Sequence, residues 1–203
     1  SNESPQFTDI VGDEKPELVC SRHGAYVHAA PGDDPFQPWK ITAISGKVAP
    51  VPFGHGLGVG DVNSDGRQDV LVRNGWFEQP KEPVAQPAAP GLELWKFHEF
   101  NFGPAPSDMF AYDVDNDGDN DVITALSAHN FGLAWYENTQ TLSNGDIRFT
   151  QHVIVGDKPE DNDYGIVFSE PHAVKLADIN GDGLQDIVTG KTYWSHHTKS
   201  PMW

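Results

Sequence analysis

Asp113-Val114-Asp115-Asn116-Asp117-Gly118-Asp119-Asn120-Asp121 is followed at once by the apolar run Val122-Ile123-Thr124-Ala125-Leu126. Acidic side chains occupy positions 1, 3, 5 and 9 of this nine-residue loop, and a glycine occupies position 6. Hard oxygen ligands on alternate residues, with a glycine to turn the backbone tightly, suit a calcium ion. Position 7, Asp119, is expected to offer its backbone carbonyl. The pattern recurs at Asp61-Asn63-Asp65-Gly66-Asp69 and at Asp178-Asn180-Asp182-Gly183-Asp186, with Asn at position 3. The candidate ligands are therefore Asp61, Asn63, Asp65, Arg67 and Asp69 in one loop. Asp113, Asp115, Asp117, Asp119 and Asp121 form the second set, and Asp178, Asn180, Asp182, Leu184 and Asp186 the third.

An EF-hand loop would end in a bidentate Glu at position 12, between helices. Here position 12 is Val72, Thr124 or Thr189. The flanks read as strands: Gly56-Leu57-Gly58-Val59-Gly60 precedes the first complete loop and Val70-Leu71-Val72 follows it. The loop therefore joins two β-strands. Asp, Asn and Gly also favour plain turns without metal, but three copies at one ligand spacing favour calcium.

With 203 residues the chain is expected to form one ordinary domain with a sizeable core. Its 20 glycines and 16 prolines, with no long helical periodicity, point to an all-β fold rich in turns. A formal net charge of −17 argues against nucleic-acid binding, because a phosphate backbone would be repelled. Three bound Ca²⁺ would bring that charge to about −11 by simple addition, so the metal-free protein is expected to be the less stable form. Cys20 is the only cysteine, which excludes an intrachain disulfide and suggests a small buried hydrophobe. No apolar run reaches membrane-spanning length, no signal peptide is visible, and the start at Ser1 without methionine suggests a processed product. Loops of this kind in extracellular modules bind calcium at about 10⁻⁴–10⁻³ M and would stay empty in cytosol, which favours an extracellular or periplasmic location.

Internal repetition gives the architecture. A degenerate first copy runs from Asp9 to Glu17, keeping acids at positions 1, 5 and 9 but placing Val11 at position 3 and Glu14 where the glycine is needed. Metal is not expected there. Loops starting at residues 9, 61, 113 and 178 imply repeat units of about 5–46, 53–102, 107–156 and 168–203. Units of that size with several short strands suggest β-propeller blades. The third unit reads as strands at 109–112, 122–126, 131–136 and 149–154, with an Asn144-Gly145 turn between the last two. Outer strands recur at 39–44 and 95–100, their aromatics expected in inter-blade cores. The proline-rich stretch 79–91 reads as a surface excursion, and 157–164 as a second long loop. The first unit is expected to lack most of its innermost strand and the last its fourth, leaving a propeller segment of about four blades with incomplete ends. A closed ring would need the remaining blades of a longer chain or another copy.

Gly58 to Val70, the matching Asp113 and Asp178 segments, and Gly132-Leu133-Ala134-Trp135-Tyr136-Glu137-Asn138 together resemble the FG-GAP/VCBS repeats of calcium-binding β-propellers. The resemblance runs through the whole chain in four copies, and is closest to the C-terminal half of secreted bacterial members. It implies adhesion, carbohydrate or protein binding, or a scaffold for lyases and dehydratases acting on sugars. Fold alone does not choose among these.

If that resemblance holds, the acidic loops crowd one face, and the starts of the innermost strands meet the ends of the second strands on the other. His55 and His172 each lie six residues before a loop. Arg73-Asn74, His129-Asn130 and Lys191-Thr192-Tyr193-Trp194-Ser195-His196-His197 follow second strands. In one reading His55, His172 and His129 or His197 bind a transition metal or act as acid and base, while Lys191, Tyr193 and Arg73 contact an anionic sugar. In the other they are solvated strand-end residues. No Gly-x-Ser-x-Gly, Cys/His or His-Glu-x-x-His motif supports a hydrolase. The sequence thus favours a calcium-stabilised module that binds carbohydrate or protein. A carbon–oxygen lyase on a sugar, polysaccharide lyase or dehydratase, is the alternative, and a purely structural adhesion unit a third class.

Overall fold

The computed structural model describes residues 3–50, 54–82 and 94–190. Its regular structure is all β apart from a single 3-10 turn, Pro159–Asp161. Among the described residues no helix is long and apolar enough to cross a membrane.

Four strands form the first blade: β1 (Gln6–Thr8), β2 (Glu17–Arg22), β3 (Ala25–Ala30) and β4 (Lys40–Lys47), paired antiparallel in sequence order. The innermost strand, which the sequence reading expects to be mostly absent, is present but only three residues long. The second blade is β5 (Leu57–Gly60), β6 (Asp69–Val72), β7 (Gly75–Glu78) and β8 (Lys96–Glu99). The third is β9 (Asp108–Tyr112), β10 (Asp121–Ala125), β11 (Leu133–Thr141) and β12 (Ile147–Val155). The fourth contributes β13 (Val174–Ala177) and β14 (Asp186–Thr189) among the described residues.

Each four-stranded meander turns one sheet face to the blade before it and the other to the blade after. Strand β6 is therefore buried at every residue. Val70 and Val72 pack with Val19, Tyr26 and Ile44 of the first blade, whereas Leu71 joins Met109, Val122 and Tyr136 of the third. The aromatics Trp76, Phe77, Trp95 and Phe102 fill these two cores. A smaller cluster, Ala125, Leu133 and Val174, joins the third blade to the fourth. Such period-2 sorting onto two buried faces gives a radial stack of blades. The fold is a β-propeller segment.

The innermost strands β5 and β9 pair parallel, Leu57 opposite Asp108 and Gly58 opposite Met109, which fuses the second and third blades into an eight-stranded sheet. Asp108, at the start of β9, accepts hydrogen bonds from Gln6 Nε2 (3.4 Å) and from the Val174 amide (3.2 Å), so one carboxylate links the first, third and fourth blades. Cys20 is half-buried on the β2 face opposite Val19, not fully buried as the sequence suggests, and burial raises its thiol pKa.

Candidate functional site

Two groups of side chains lie at opposite ends of the innermost strands. At one end are the acidic loops. In each, the position-1 carboxylate gathers backbone amides: Asp61 accepts from Asp65 (3.0 Å) and Gly66 (2.8 Å), Asp113 from Asp117 and Gly118 (both 3.1 Å), and Asp178 from Asp182 (3.2 Å) and Gly183 (3.0 Å). The degenerate copy folds the same way, with Asp9 accepting from Gly12, Asp13 and Glu14. Positions 4 and 6 both turn through positive φ, including Gly118 at 100° and, where the degenerate loop has no glycine, Glu14 at 67°. The loops also hold one another. Asn120 Nδ2 donates to the Asp61 carbonyl (2.7 Å), and the Gln185 amide donates to the Tyr112 hydroxyl (3.3 Å).

Position 9 has a role that the sequence did not reveal. Asp69 is fully buried, accepting from the Val62 amide (3.0 Å) on one oxygen and from the Gln79 amide (2.8 Å) on the other. Asp121 repeats this with Val114 (2.9 Å) and Asn138 (2.8 Å). Glu17 takes the Ile10 amide (3.1 Å) and Asp186 the Ile179 amide (2.9 Å). The residue thus staples the start of its loop, and in the two middle blades also the third strand.

At the other end of the strands, three histidines converge. His55 precedes β5, His129 follows β10 and His172 precedes β13. The His55 and His129 Nε2 atoms are 2.9 Å apart, and the three rings lie 4.7–5.0 Å from one another between centroids. Glu3 Oε2 completes the cluster, 3.4 Å from His55 Nε2 and 3.2 Å from His172 Nε2. The cluster is held by backbone. The Glu3 amide donates to the Gly54 carbonyl (2.9 Å), and the Glu170 amide to the Asn130 carbonyl (2.6 Å). Gly56, at φ 80°, turns the chain from His55 into β5 where a β-carbon would stand 2.7 Å from Pro106. Burial lowers the His55 pKa, and the neighbouring His129 and His172 add to this against the opposing charge of Glu3. Burial thus favours the neutral imidazole, which keeps one ring-nitrogen lone pair.

Residues 53–81 match the family model described as FG-GAP repeat, and residues 113–189 the model described as FG-GAP-like repeat. The chain belongs to the FG-GAP repeat family. No curated protein matches it.

The metal that FG-GAP loops imply can be tested against these residues. Carboxylate oxygens of Asp113, Asp115 and Asp117 lie within 4.8 Å of one another, an all-oxygen donor set of the hard kind that calcium takes. Asp119, expected to offer its carbonyl, also buries its side-chain Oδ1 without a hydrogen-bond partner. Burial and the charges of Asp117, Asp121, Asp115 and Asp113 push its pKa up to about 6. Burial likewise lifts Asp69 to about 7, against its two amide hydrogen bonds. Like charges crowded beside Asp119 are the environment a divalent cation relieves. The residues fit.

Of the other FG-GAP site candidates, Arg73 is exposed, and its described contact is a backbone one, its carbonyl accepting from the Phe102 amide. Lys191, Tyr193, His196 and His197 lie outside the described residues. Glu3 was not foreseen. Nothing in its local sequence marks it, and it reaches the histidines because the chain start returns to the head of the second blade.

Proposed function

We propose that this FG-GAP chain is a calcium-stabilised propeller module of an extracellular or periplasmic protein, binding a carbohydrate or protein ligand. The observation that carries the reading is the convergence of the Asp113, Asp115 and Asp117 carboxylates within 4.8 Å of one another, in a loop where the Asp119 Oδ1 is buried without a hydrogen-bond partner. Calcium there is structural: it neutralises carboxylates that the fold crowds together and fixes the turn between the two inner strands of the second, third and fourth blades. It leaves the histidine end as the face for a ligand. Ile179, Leu184 and Val188 of the fourth blade are exposed, and their apolar surface suits cover by further blades of a longer chain or by another copy. Thermal unfolding in calcium and in chelator tests the metal. Binding of acidic and neutral oligosaccharides to the wild type and to a His172→Ala variant tests the ligand face.

A second reading, a carbon–oxygen lyase acting on a sugar, is favoured by one observation. His55, His129 and His172 meet instead of diverging, and burial favours the neutral form of His55. Such a base can take a proton alpha to a carboxylate, provided a cation holds the developing enolate. Incubation with uronic-acid polysaccharides, followed by ultraviolet detection of unsaturated products, separates the two readings. Products from the wild type but not from His55→Ala would establish the lyase, and none from either would leave the binding module.

A further inference from the structure

We propose that Glu3, His55, His129 and His172 form a binding site for one divalent transition-metal ion of the zinc class, separate from the calcium loops. All four donor atoms, three imidazole Nε2 and the Glu3 Oε2, lie within 4.8 Å of one another. The separations of 2.9, 3.2 and 3.4 Å bracket the edge of about 3.3 Å that a tetrahedron with metal–nitrogen bonds of about 2.0–2.1 Å requires. Donors drawn from the N-terminal segment and three successive blades meet at one point, so chain proximity does not explain the cluster.

Hydrogen bonding alone serves this arrangement poorly. One hydrogen bond can join the His55 and His129 Nε2 atoms, whereas the His172 ring meets each of the other two edge to face at 5.0 Å between centroids. A divalent ion takes every Nε2 lone pair at once and is partly neutralised by the Glu3 carboxylate. Three imidazoles and one carboxylate, with no thiolate, suit zinc and its borderline neighbours and suit calcium badly, since calcium takes six to eight oxygens. His172 is 40 % and Glu3 32 % exposed in their side chains while His55 is 12 % exposed. The ion would therefore sit at an open mouth, reachable from solvent on the His172 side. Displacement of the Glu3 arm would leave three histidine ligands and an open position, the arrangement that catalytic zinc sites use.

The inference stands on donor geometry and depends on neither calcium nor catalysis. It is tested by stripping the full chain of metal, restoring excess calcium, and titrating Zn²⁺ by calorimetry and Co²⁺ by visible absorption. One zinc per chain and the intense visible bands of four-coordinate cobalt are expected. His129→Ala and His172→Ala should each weaken zinc about 100-fold or more and abolish the cobalt bands, while Asp115→Asn leaves both intact. The calcium-dependent melting temperature of each variant shows that it has folded. If one variant does not fold, the other and Glu3→Gln, which should weaken zinc about tenfold, carry the test. Absence of a stoichiometric zinc site, or zinc and cobalt binding unchanged in the folded histidine variants, overturns the proposal. Either result leaves the calcium reading untouched, because that is read from calcium-dependent melting.

Discussion

Gly58 and Met109 hold the second and third blades together at their closest approach: a β-carbon on Gly58 would stand 2.1 Å from the Met109 carbonyl oxygen. The parallel pairing of β5 with β9 needs a bare backbone there. Backbone cannot step aside as a flexible side chain can. Gly58→Ala is therefore expected to cost about 3 kcal/mol, seen as a lower urea midpoint. An unchanged midpoint would mean that the inner strands do not pair in this register.

Positions 9 and 3 both carry acids, the first a staple and the second a proposed calcium ligand, and substitution separates the two roles. Asp69→Ala strands the Val62 and Gln79 amides, at a cost of about 2–4 kcal/mol, in calcium and in chelator alike. Asp115 is exposed and accepts a hydrogen bond from the Asp117 amide at 3.3 Å. Asp115→Ala should lower stability in calcium and change it little in chelator. Equal losses in both conditions for Asp115→Ala would contradict its assignment as a ligand.

His98 gives the outer part of the second blade an acid-sensitive link to the third. Its ring stacks on Trp76 (4.1 Å between centroids), and its two nitrogens lie 2.8 Å from Glu78 and 2.8 Å from Asp146. Burial raises the Glu78 pKa, but the His98 hydrogen bond and the Lys96 charge outweigh it and leave the group below its ordinary value. Hydrogen bonds from His98 and Asn144 lower Asp146 as well. A carboxylate with a lower pKa folded than unfolded contributes stability that is present above its unfolded value and lost as pH falls through the folded one. Stability should therefore drop below about pH 4.5, and His98→Phe, which keeps the stack but not the hydrogen bonds, should flatten that drop. Urea unfolding at neutral pH and at about pH 3.5 measures it; parallel acid profiles for the two proteins would refute the link.

Glu14 sits at φ 67° where the other loops have glycine. The left-handed conformation costs an ordinary residue about 1–2 kcal/mol, which glycine avoids while losing more chain entropy. Glu14→Gly should raise stability by about 0.5–1 kcal/mol, read from the thermal midpoint. A decrease would show that the Glu14 side chain makes a contact worth more than the strain.

Much of this fold is legible in the sequence because the loop is periodic. Asp61, Asp113 and Asp178 each follow an innermost strand, and continuous apolar runs such as Val70-Leu71-Val72 declare strands buried on both faces. The loop-to-strand direction also assigns His55 and His172 to the end away from the acids. What stayed hidden depends on contacts between distant chain segments. Glu3 meets the histidines across the first blade, and Asp108 joins Gln6 to Val174. For Asp69 and Asp121 spacing shows only an acid at a ligand position. Their two backbone partners, one across the loop and one on the third strand, exist only once the sheet forms. The short first strand Gln6–Thr8 is too brief for its alternation to be recognised.

The most direct test of the account is thermal unfolding of the purified chain with excess calcium and with chelator, alongside elemental analysis. About three calcium ions per chain are expected, with a stabilisation of about 2.7 kcal/mol for each occupied site when calcium stands at a hundred times its dissociation constant, and a correspondingly higher melting temperature. An identical melting temperature in chelator, with no bound calcium, would contradict it and reduce the loops to acid-rich turns held by their own backbone hydrogen bonds.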